Sequence, residues 1–398
     1  MSRQVLVISK APASGRSKTR LTPPLLAEQA AELAEAMLLD TLDGCRSEAD
    51  EVGILCPSDD DARALAALVG LDVPIWVQTG SGLRDALRNT MQAGTGNGPL
   101  AIVSSDIPGV PEGQVAAVFR ALEDGADIVL GPCLDGGYWL IAMAVFHEAP
   151  FTQIPWSTPA CLAVTQRRAD EAGLRVHLLQ PWLDIDTAVD LSFAIHEPPG
   201  PIAPRSAGVL ARIAGAVEVH RPPRVRLDSS DLGMASPWRS FVHDRLTGPD
   251  GRSAQYSYLA VPRAVFVVAV TRDREVLLVR QYRHPVRDWT FEVPAGAVED
   301  GESARQAAER ELAEEVGAVG GEWRHLGSFF SSSAHLSLRS DGFLVTDVDV
   351  GESHPEPDEE LVIVRQPLDD ALALARAGGF VEGQTALVLL LAAAHLEA

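Results

Sequence analysis

Between residues 5 and 179, short aliphatic and β-branched runs alternate with amphipathic stretches, and this alternation limits the fold more than any other feature of the 398-residue chain. The β-rich runs are Val5–Ile8, Val52–Cys56, Ile75–Val77, Leu100–Val103, Ile128–Leu130 and Val176–Leu179. Between them lie Pro24–Leu42, Asp59–Val69, Gly82–Ala93, Glu112–Glu123 and Pro159–Ala172, with apolar residues at helical spacing. Strand and helix in repeated alternation predict an α/β domain with a mostly parallel, Rossmann-like sheet covered on both faces. Ligands of such sheets gather at the carboxyl ends of the strands, so the loops there are where a site is expected.

The rhythm breaks at Glu197–Gly208, EPPGPIAPRSAG, where four prolines and two glycines fall in twelve residues. That density opposes helix and central strand alike. It predicts a first domain over 1–197, a Pro-rich linker over 198–224 and a second domain over 225–398. In the second half, Ser257–Val261, Ala264–Thr271 and Val276–Gln281 read as strands, with a hairpin turn at Asp273-Arg274. One strong helix over Ser303–Val316, further strands and a final helix from Gly383 complete an α+β sandwich.

Composition narrows the class of partner. Hydrophobic residues make up 46% and charged residues 22%, as in an ordinary globular protein, and the net charge is −22. No basic field exists to collect phosphates, which argues against nucleic acid and an anionic membrane as partners. Nucleotides remain accessible through a divalent cation, a loop lysine or arginine, and backbone N–H groups. The four cysteines show no C-x-x-C spacing, which disfavours a zinc or disulfide framework and predicts a cytoplasmic location. The apolar run Ala386–Ala394 is half of what a membrane span needs.

The sharpest chemical signal is Gly296–Ala318, GAVEDGESARQAAERELAEEVGA. Ser303 is a good N-cap and Gly317 a good residue just past the helix end. Glu311, Glu314 and Glu315 crowd one helical turn, where like charges are unfavourable unless a cation joins them. Hard oxygen ligands in that arrangement suit Mg²⁺ or Mn²⁺. The segment resembles the Nudix box, G-x5-E-x7-R-E-U-x-E-E-x-G-U, at Gly296, Glu302, Arg310, Glu311, Leu312, Glu314, Glu315 and Gly317. A chance match is on the order of one in a million; Ala318 departs from the usual larger aliphatic. The resemblance implies hydrolysis of a nucleoside-diphosphate-linked substrate, with Glu311, Glu314 and Glu315 as metal ligands and Glu302 and Arg310 orienting the helix. It also implies an assisting loop glutamate, for which Glu359 and Glu360 in ESHPEPDEE are best placed. The run from Arg280 to Ala295 is similar to the ADP-ribose and nucleotide-sugar hydrolase branch, which puts Tyr282, Trp289 and Arg283 near the substrate. That branch also implies a homodimer through the Nudix domain.

In the first half, the loop Ser9–Leu21, SKAPASGRSKTRL, follows the first strand. Gly15 gives it a flexible turn, while Lys18 and Arg20 offer a point charge and a fork for phosphates. Other strand ends carry Asp106, then Asp135 in DGGYW, then Asp186 in LDIDT. Turns and caps account for one or two such aspartates, and a metal–nucleotide site accounts for the set. Residues 3 to about 196 resemble glycosyltransferase-like proteins of the type-A nucleotide-diphospho-sugar transferase fold, similar to molybdopterin and phospholactate nucleotidyltransferases. The resemblance implies Lys18 and Arg20 on phosphate, Asp106 on metal, and Asp135 or Asp186 on the acceptor side or a second metal contact. The whole chain is therefore expected to be a bifunctional enzyme, a Nudix hydrolase joined to a nucleotidyl or glycosyl transferase. The alternative is a Nudix hydrolase with a non-catalytic, nucleotide-binding regulatory domain.

Overall fold

The computed structural model describes residues 2–22, 24–196, 199–215, 226–236, 239–248, 250–354 and 361–396. The chain divides into two compact units, Met1–Ser257 and Tyr258–Ala398.

Unit 1 is built on strands β1 (Gln4–Ile8), β2 (Glu51–Cys56), β3 (Ile75–Val77), β4 (Leu100–Ser104), β5 (Ile128–Pro132), β6 (Tyr138–Met143) and β7 (Val176–Leu178). They lie in the order β3-β2-β1-β4-β6-β5-β7. All pairings are parallel except those of β6, which runs antiparallel between β4 and β5. The helices are α1 (Ala27–Arg46), α2 (Asp59–Val69), α3 (Gly82–Gly94), α4 (Gln114–Glu123), α5 (Cys161–Glu171), α6 (Ala188–His196) and α7 (Pro204–Ala214). Strand alternation splits the core as the pleat requires. Val5, Val7 and Val103 pack with Leu38, Leu42, Val118 and Phe119 on one face. Leu6, Ile102 and Leu130 pack with Leu87 and Met91 on the other.

Helix α7 lies where the Pro-rich composition predicts a linker, so residues 204–214 correct that reading. Pro204 sits at the first helical position, where its missing N–H is no loss. Its amphipathic face, Val209, Leu210 and Ile213, packs with Leu33 and Met37 of α1 and Leu191 of α6. Asp40 of α1, fully buried, accepts from Ser206 N and Oγ at 2.8 Å each and from Arg205 Nη1 at 3.0 Å. A three-stranded sheet follows, from β8 (Arg226–Ala235), β9 (Ser240–Thr247) and β10 (Ser253–Ala260), with β8 and β9 antiparallel. The division between units at Ser257 falls inside β10, later in the chain than the Pro-rich stretch.

Unit 2 carries β11 (Ala264–Thr271), β12 (Glu275–Arg283), β13 (Asp288–Glu292), β14 (Ala295–Ala297), α8 (Ala304–Val316), β15 (Ala318–Val319), β16 (Glu322–Phe330), β17 (Arg339–Val350), β18 (Leu361–Pro367), α9 (Leu368–Arg376) and α10 (Gly383–Leu396). Strands β11 and β17 pair in parallel at the centre of a mixed sheet. Val265, Val267 and Ala269 face Ala308, Leu312 and Val316 of α8. Phe266, Val268 and Val270 face Leu372 of α9 and Val388, Leu389 and Ala392 of α10. The sheet is thus held between α8 and the α9–α10 pair. Among the described residues, no helix is long and apolar enough to cross a membrane.

Removing the Asp40 carboxylate strands the backbone N–H groups of Arg205 and Ser206 and the Ser206 hydroxyl at the start of α7, while the Arg205 guanidinium keeps Asp43 at 2.8 Å. Asp40→Ala is expected to cost about 3 kcal/mol of unit 1 stability, measured by urea denaturation. Limited proteolysis of the same variant is expected to cut first within 199–214. An unchanged urea midpoint would mean α7 docks by its apolar face alone.

Candidate functional site

In unit 2 the site is organised around Arg310, on the solvent side of α8. Its Nε and Nη2 donate to Glu302 at 2.8 and 3.1 Å, and Nη1 donates to Glu311 Oε1 at 2.8 Å and Glu314 Oε2 at 3.0 Å. Nη2 also reaches the Ala297 carbonyl at 2.9 Å. Its hydrogen bonds to Glu302, then the charge of Glu311 and the bonds to Glu311 and Glu314, hold the guanidinium more firmly protonated than usual. Burial works against ionisation of Glu302, but its bonds to Arg310 leave its carboxyl below the ordinary range. Helix α8 starts in a capping box formed by Ser303 and Gln306 and ends at Gly317 in the left-handed conformation.

Glu311 and Glu315 are both buried, and Glu315 accepts from Ala295 N at 3.0 Å. Strand β14 passes so close over the helix that a Cβ on Gly296 would overlap the Glu311 carboxylate. The glycine is therefore dictated by space, not by backbone angle. Three carboxylates on one turn, two of them buried, form a hard-oxygen donor set that fits Mg²⁺ or Mn²⁺.

Beside this, Arg283 donates through Nε and Nη2 to the buried Glu292 at 2.9 and 2.6 Å. These bonds keep Arg283 firmly charged. Tyr282 and Trp289 are partly exposed with ring centroids 6.0 Å apart, and the Arg280 guanidinium lies 4.9 Å from the Trp289 ring. Glu359 and Glu360 lie outside the described residues.

In unit 1 the predicted residues converge at the strand ends. Lys18, at φ 48°, turns its side chain inward to only 5% exposure. Its Nζ lies 2.5 Å from Asp106 Oδ1 and 2.8 Å from Asp186 Oδ1. Arg20 Nη1 is 3.5 Å from the other oxygen of Asp186. Burial alone would discharge Lys18, but Asp106 and Asp186 outweigh it and raise its pKa above the ordinary value. Lys18 in turn holds Asp186 below the usual carboxylate range. Gly15, at φ 74°, gives the preceding loop its open turn.

The segment Asp184-Ile185-Asp186 is set by its middle residue. Ile185 is fully buried, and its N–H donates to the Asp106 carbonyl at 2.9 Å, leaving the flanking aspartates on the site. Asp135 accepts from Gly137 N at 2.8 Å, which shapes the DGG turn. Asp184 and Cys133, absent from the predicted site, join Asp135 in a group whose ligand atoms lie within 4.8 Å of one another. Burial, then Asp135 and Asp186, push Asp184 up to about 8. Burial, then the charges of Asp184 and Asp135, raise Cys133 well above its usual range. Oδ1 of Asp184 is buried without a hydrogen-bond partner among the described residues. The repeated aspartates in LDIDT were the available signal, since residues two apart in an extended segment face the same side.

Both units resemble known proteins. The NUDIX domain model matches residues 260–383. ADP-ribose pyrophosphatase of Bacillus subtilis is 30% identical over 143 residues, 35% of this chain and 77% of that protein. The chain belongs to the Nudix family. Its unit 2 is a Nudix hydrolase domain.

Residues 41–158 match the model described as "Uncharacterized protein conserved in bacteria (DUF2064)". 2-Phospho-L-lactate guanylyltransferase of Archaeoglobus fulgidus is 31% identical over 120 residues, 30% of this chain and half of that protein. A crystal structure from Desulfovibrio desulfuricans, described as a nucleotide-diphospho-sugar transferase, superposes with a TM-score of 0.51 at 26% identity. It covers 54% of this chain and 96% of its own. The N-terminal unit therefore has the nucleotide-diphospho-sugar transferase type of fold, as its strand rhythm and motifs imply.

Because Gly296 leaves no space for a methyl group, Gly296→Ala is expected to push Glu311 aside with the helix intact. Misplacement on that scale costs about a hundredfold in turnover. Steady-state hydrolysis of a nucleoside-diphospho-sugar beside a circular dichroism spectrum checks this, and unimpaired turnover would show that Glu311 can relax without loss.

Proposed function

We propose that the chain is bifunctional. The Nudix unit hydrolyses the diphosphate of ADP-ribose or a nucleoside-diphospho-sugar, with Mg²⁺ or Mn²⁺ as cofactor. The N-terminal unit transfers a nucleotidyl or glycosyl group. The observation that carries the hydrolase reading is the Arg310 cluster, which holds Glu302, Glu311 and Glu314 in one array beside Glu315. In the transferase reading, the convergence of Lys18 and Arg20 on Asp106 and Asp186 plays the same part.

Glu311, Glu314 and Glu315 would hold the divalent cation. When bound, it neutralises the diphosphate and lowers the pKa of water at the site. Arg310 orients two of these carboxylates and fixes the turn through Ala297. Tyr282 and Trp289 offer faces for the base, and Arg283 a charge for the phosphates, once its bonds to Glu292 are shared. Glu360, just ahead of β18 in the sequence, assists hydrolysis. In the N-terminal unit, Asp106 and Asp186 would hold the metal, Lys18, Arg20 and the Gly15 turn would meet the phosphates, and Asp135 would face the acceptor. The chain acts as a cytoplasmic homodimer formed through the Nudix unit.

ADP-ribose, ADP-, UDP- and GDP-sugars and nucleoside triphosphates, screened with Mg²⁺ for release of nucleoside monophosphate, test the hydrolase. Release from one diphosphate class is expected, and Glu315→Gln should lower it about 10³-fold. Unchanged hydrolysis in that variant would overturn the assignment. In the N-terminal unit, Lys18→Ala and Asp106→Ala are expected to abolish turnover, measured as pyrophosphate release from a nucleoside triphosphate plus a phosphorylated acceptor. Nucleotide binding without turnover in the wild-type chain would leave that unit a regulator.

A further inference from the structure

Only two of the 33 Lys and Arg residues are lysine, Lys10 and Lys18, and both lie in the loop after β1. Lys10 is exposed. Lys18 is enclosed, with its ammonium between Asp106 Oδ1 and Asp186 Oδ1 at 2.5 and 2.8 Å. These are the two carboxylates read above as metal ligands, and the gap between them already holds a cation supplied by the chain itself.

Resting on that reading, we propose that Lys18 is a displaceable counter-cation. Binding of a divalent cation to Asp106 and Asp186 expels its ammonium from the pair and releases it toward the phosphates of the nucleotide.

Four features support the exchange. Without a cation, two carboxylates sharing one gap would repel each other, so the metal-free site needs a resident charge. Lysine suits that task because its compact head sits on a flexible four-carbon stem, whereas the rigid guanidinium fork would be slow to leave. The metal and the ammonium are like charges contending for the same two oxygens, so both cannot keep them. The stem can also move without unfolding its anchor. The short helix Thr19–Leu21 follows at once and is pinned by the fully buried Leu21, while on the other side Gly15 is free of neighbours within 4 Å of its Cβ position. Arg20, at 3.5 Å, stays to orient Asp186. Metal and phosphate binding become coupled, and the coupling is reciprocal: phosphates that draw Lys18 away favour the metal.

With two lysines, the exchange can be read directly in the full chain. Reductive methylation with ¹³C-formaldehyde, followed by peptide mass spectrometry, reports the reactivity of Lys18 against Lys10 as internal reference. Without metal, Lys18 is expected to react at least about tenfold more slowly than Lys10. Saturating Mn²⁺ should raise its rate about tenfold, the scale of an ordinary coupling. A parallel Mn²⁺ titration by electron paramagnetic resonance compares the Glu315→Gln chain with the Glu315→Gln/Asp106→Asn chain. One ion fewer in the double variant, with Lys18 unmasked by Mn²⁺ in the wild type, supports the exchange. One ion fewer while Lys18 stays protected overturns the exchange and leaves the metal site standing. An equal number of ions in both chains overturns the metal reading of Asp106, and the exchange with it.

Discussion

Carboxylates cannot be gathered in one place without a cation among them, and Arg310 is the cation on which the Nudix site depends. One guanidinium spans Glu302 before the helix, Glu311 and Glu314 on it, and the Ala297 carbonyl on the strand beneath. Only a planar group with five donors can serve four partners in three directions; a lysine would neutralise charge without fixing angles. These contacts are partly buried, so they are screened less than surface ion pairs, whose worth is usually below about 1 kcal/mol. Helix, turn and strand thereby move as one piece, and the buried Glu315 receives the Ala295 N–H in register with them.

The transferase-like unit meets the same constraint with a graded solution. Where a protein cation reaches, the carboxylate stays ionised: Asp186, held by Lys18, lies below its ordinary range. Where none reaches, the group is driven toward its neutral form. Asp184, two residues away, is pushed up to about 8 by burial and by its acidic neighbours. The Cys133 thiol is raised for the same reasons. One strand-end cleft thus holds carboxylates of opposite tendency a few residues apart, which is the separation of roles that acid–base and ligand chemistry need.

Much of this was legible in the chain, and the exceptions share a cause. The strand runs and the helix Asp59–Val69 match because their period is decided locally, by burial on one face or two. The Nudix helix was equally clear, since its capping box, its carboxylate spacing and its C-terminal glycine all lie within one segment. What escaped is decided by partners distant in sequence. Strand β6 turns antiparallel because it is inserted between β4 and β5, which its composition does not reveal. Helix α7 forms in a proline-dense stretch because Asp40, 165 residues earlier in the chain, receives its first N–H groups. Asp184 enters the site because Ile185 is drawn into the core and bonded to Asp106, so both flanking side chains face one cleft. Each turns on a long-range contact that propensity does not record.

A net charge of −22 stands against the two polyphosphate sites proposed above. The distances resolve it. At physiological salt, charges more than about 8 Å apart are largely screened, so the excess of surface carboxylates counts for little inside a cleft. In the proposed sites a diphosphate would meet only the local set: Lys18 and Arg20 in one unit, Arg280, Arg283 and Arg310 in the other. Among the described residues, each of these but Arg280 is paired with a carboxylate. An arriving phosphate must therefore share or take over an existing partner and cannot simply fill a bare positive pocket. That requirement favours ligands that bring their own cation, since a metal–diphosphate replaces both members of an ion pair at once where a bare anion replaces one.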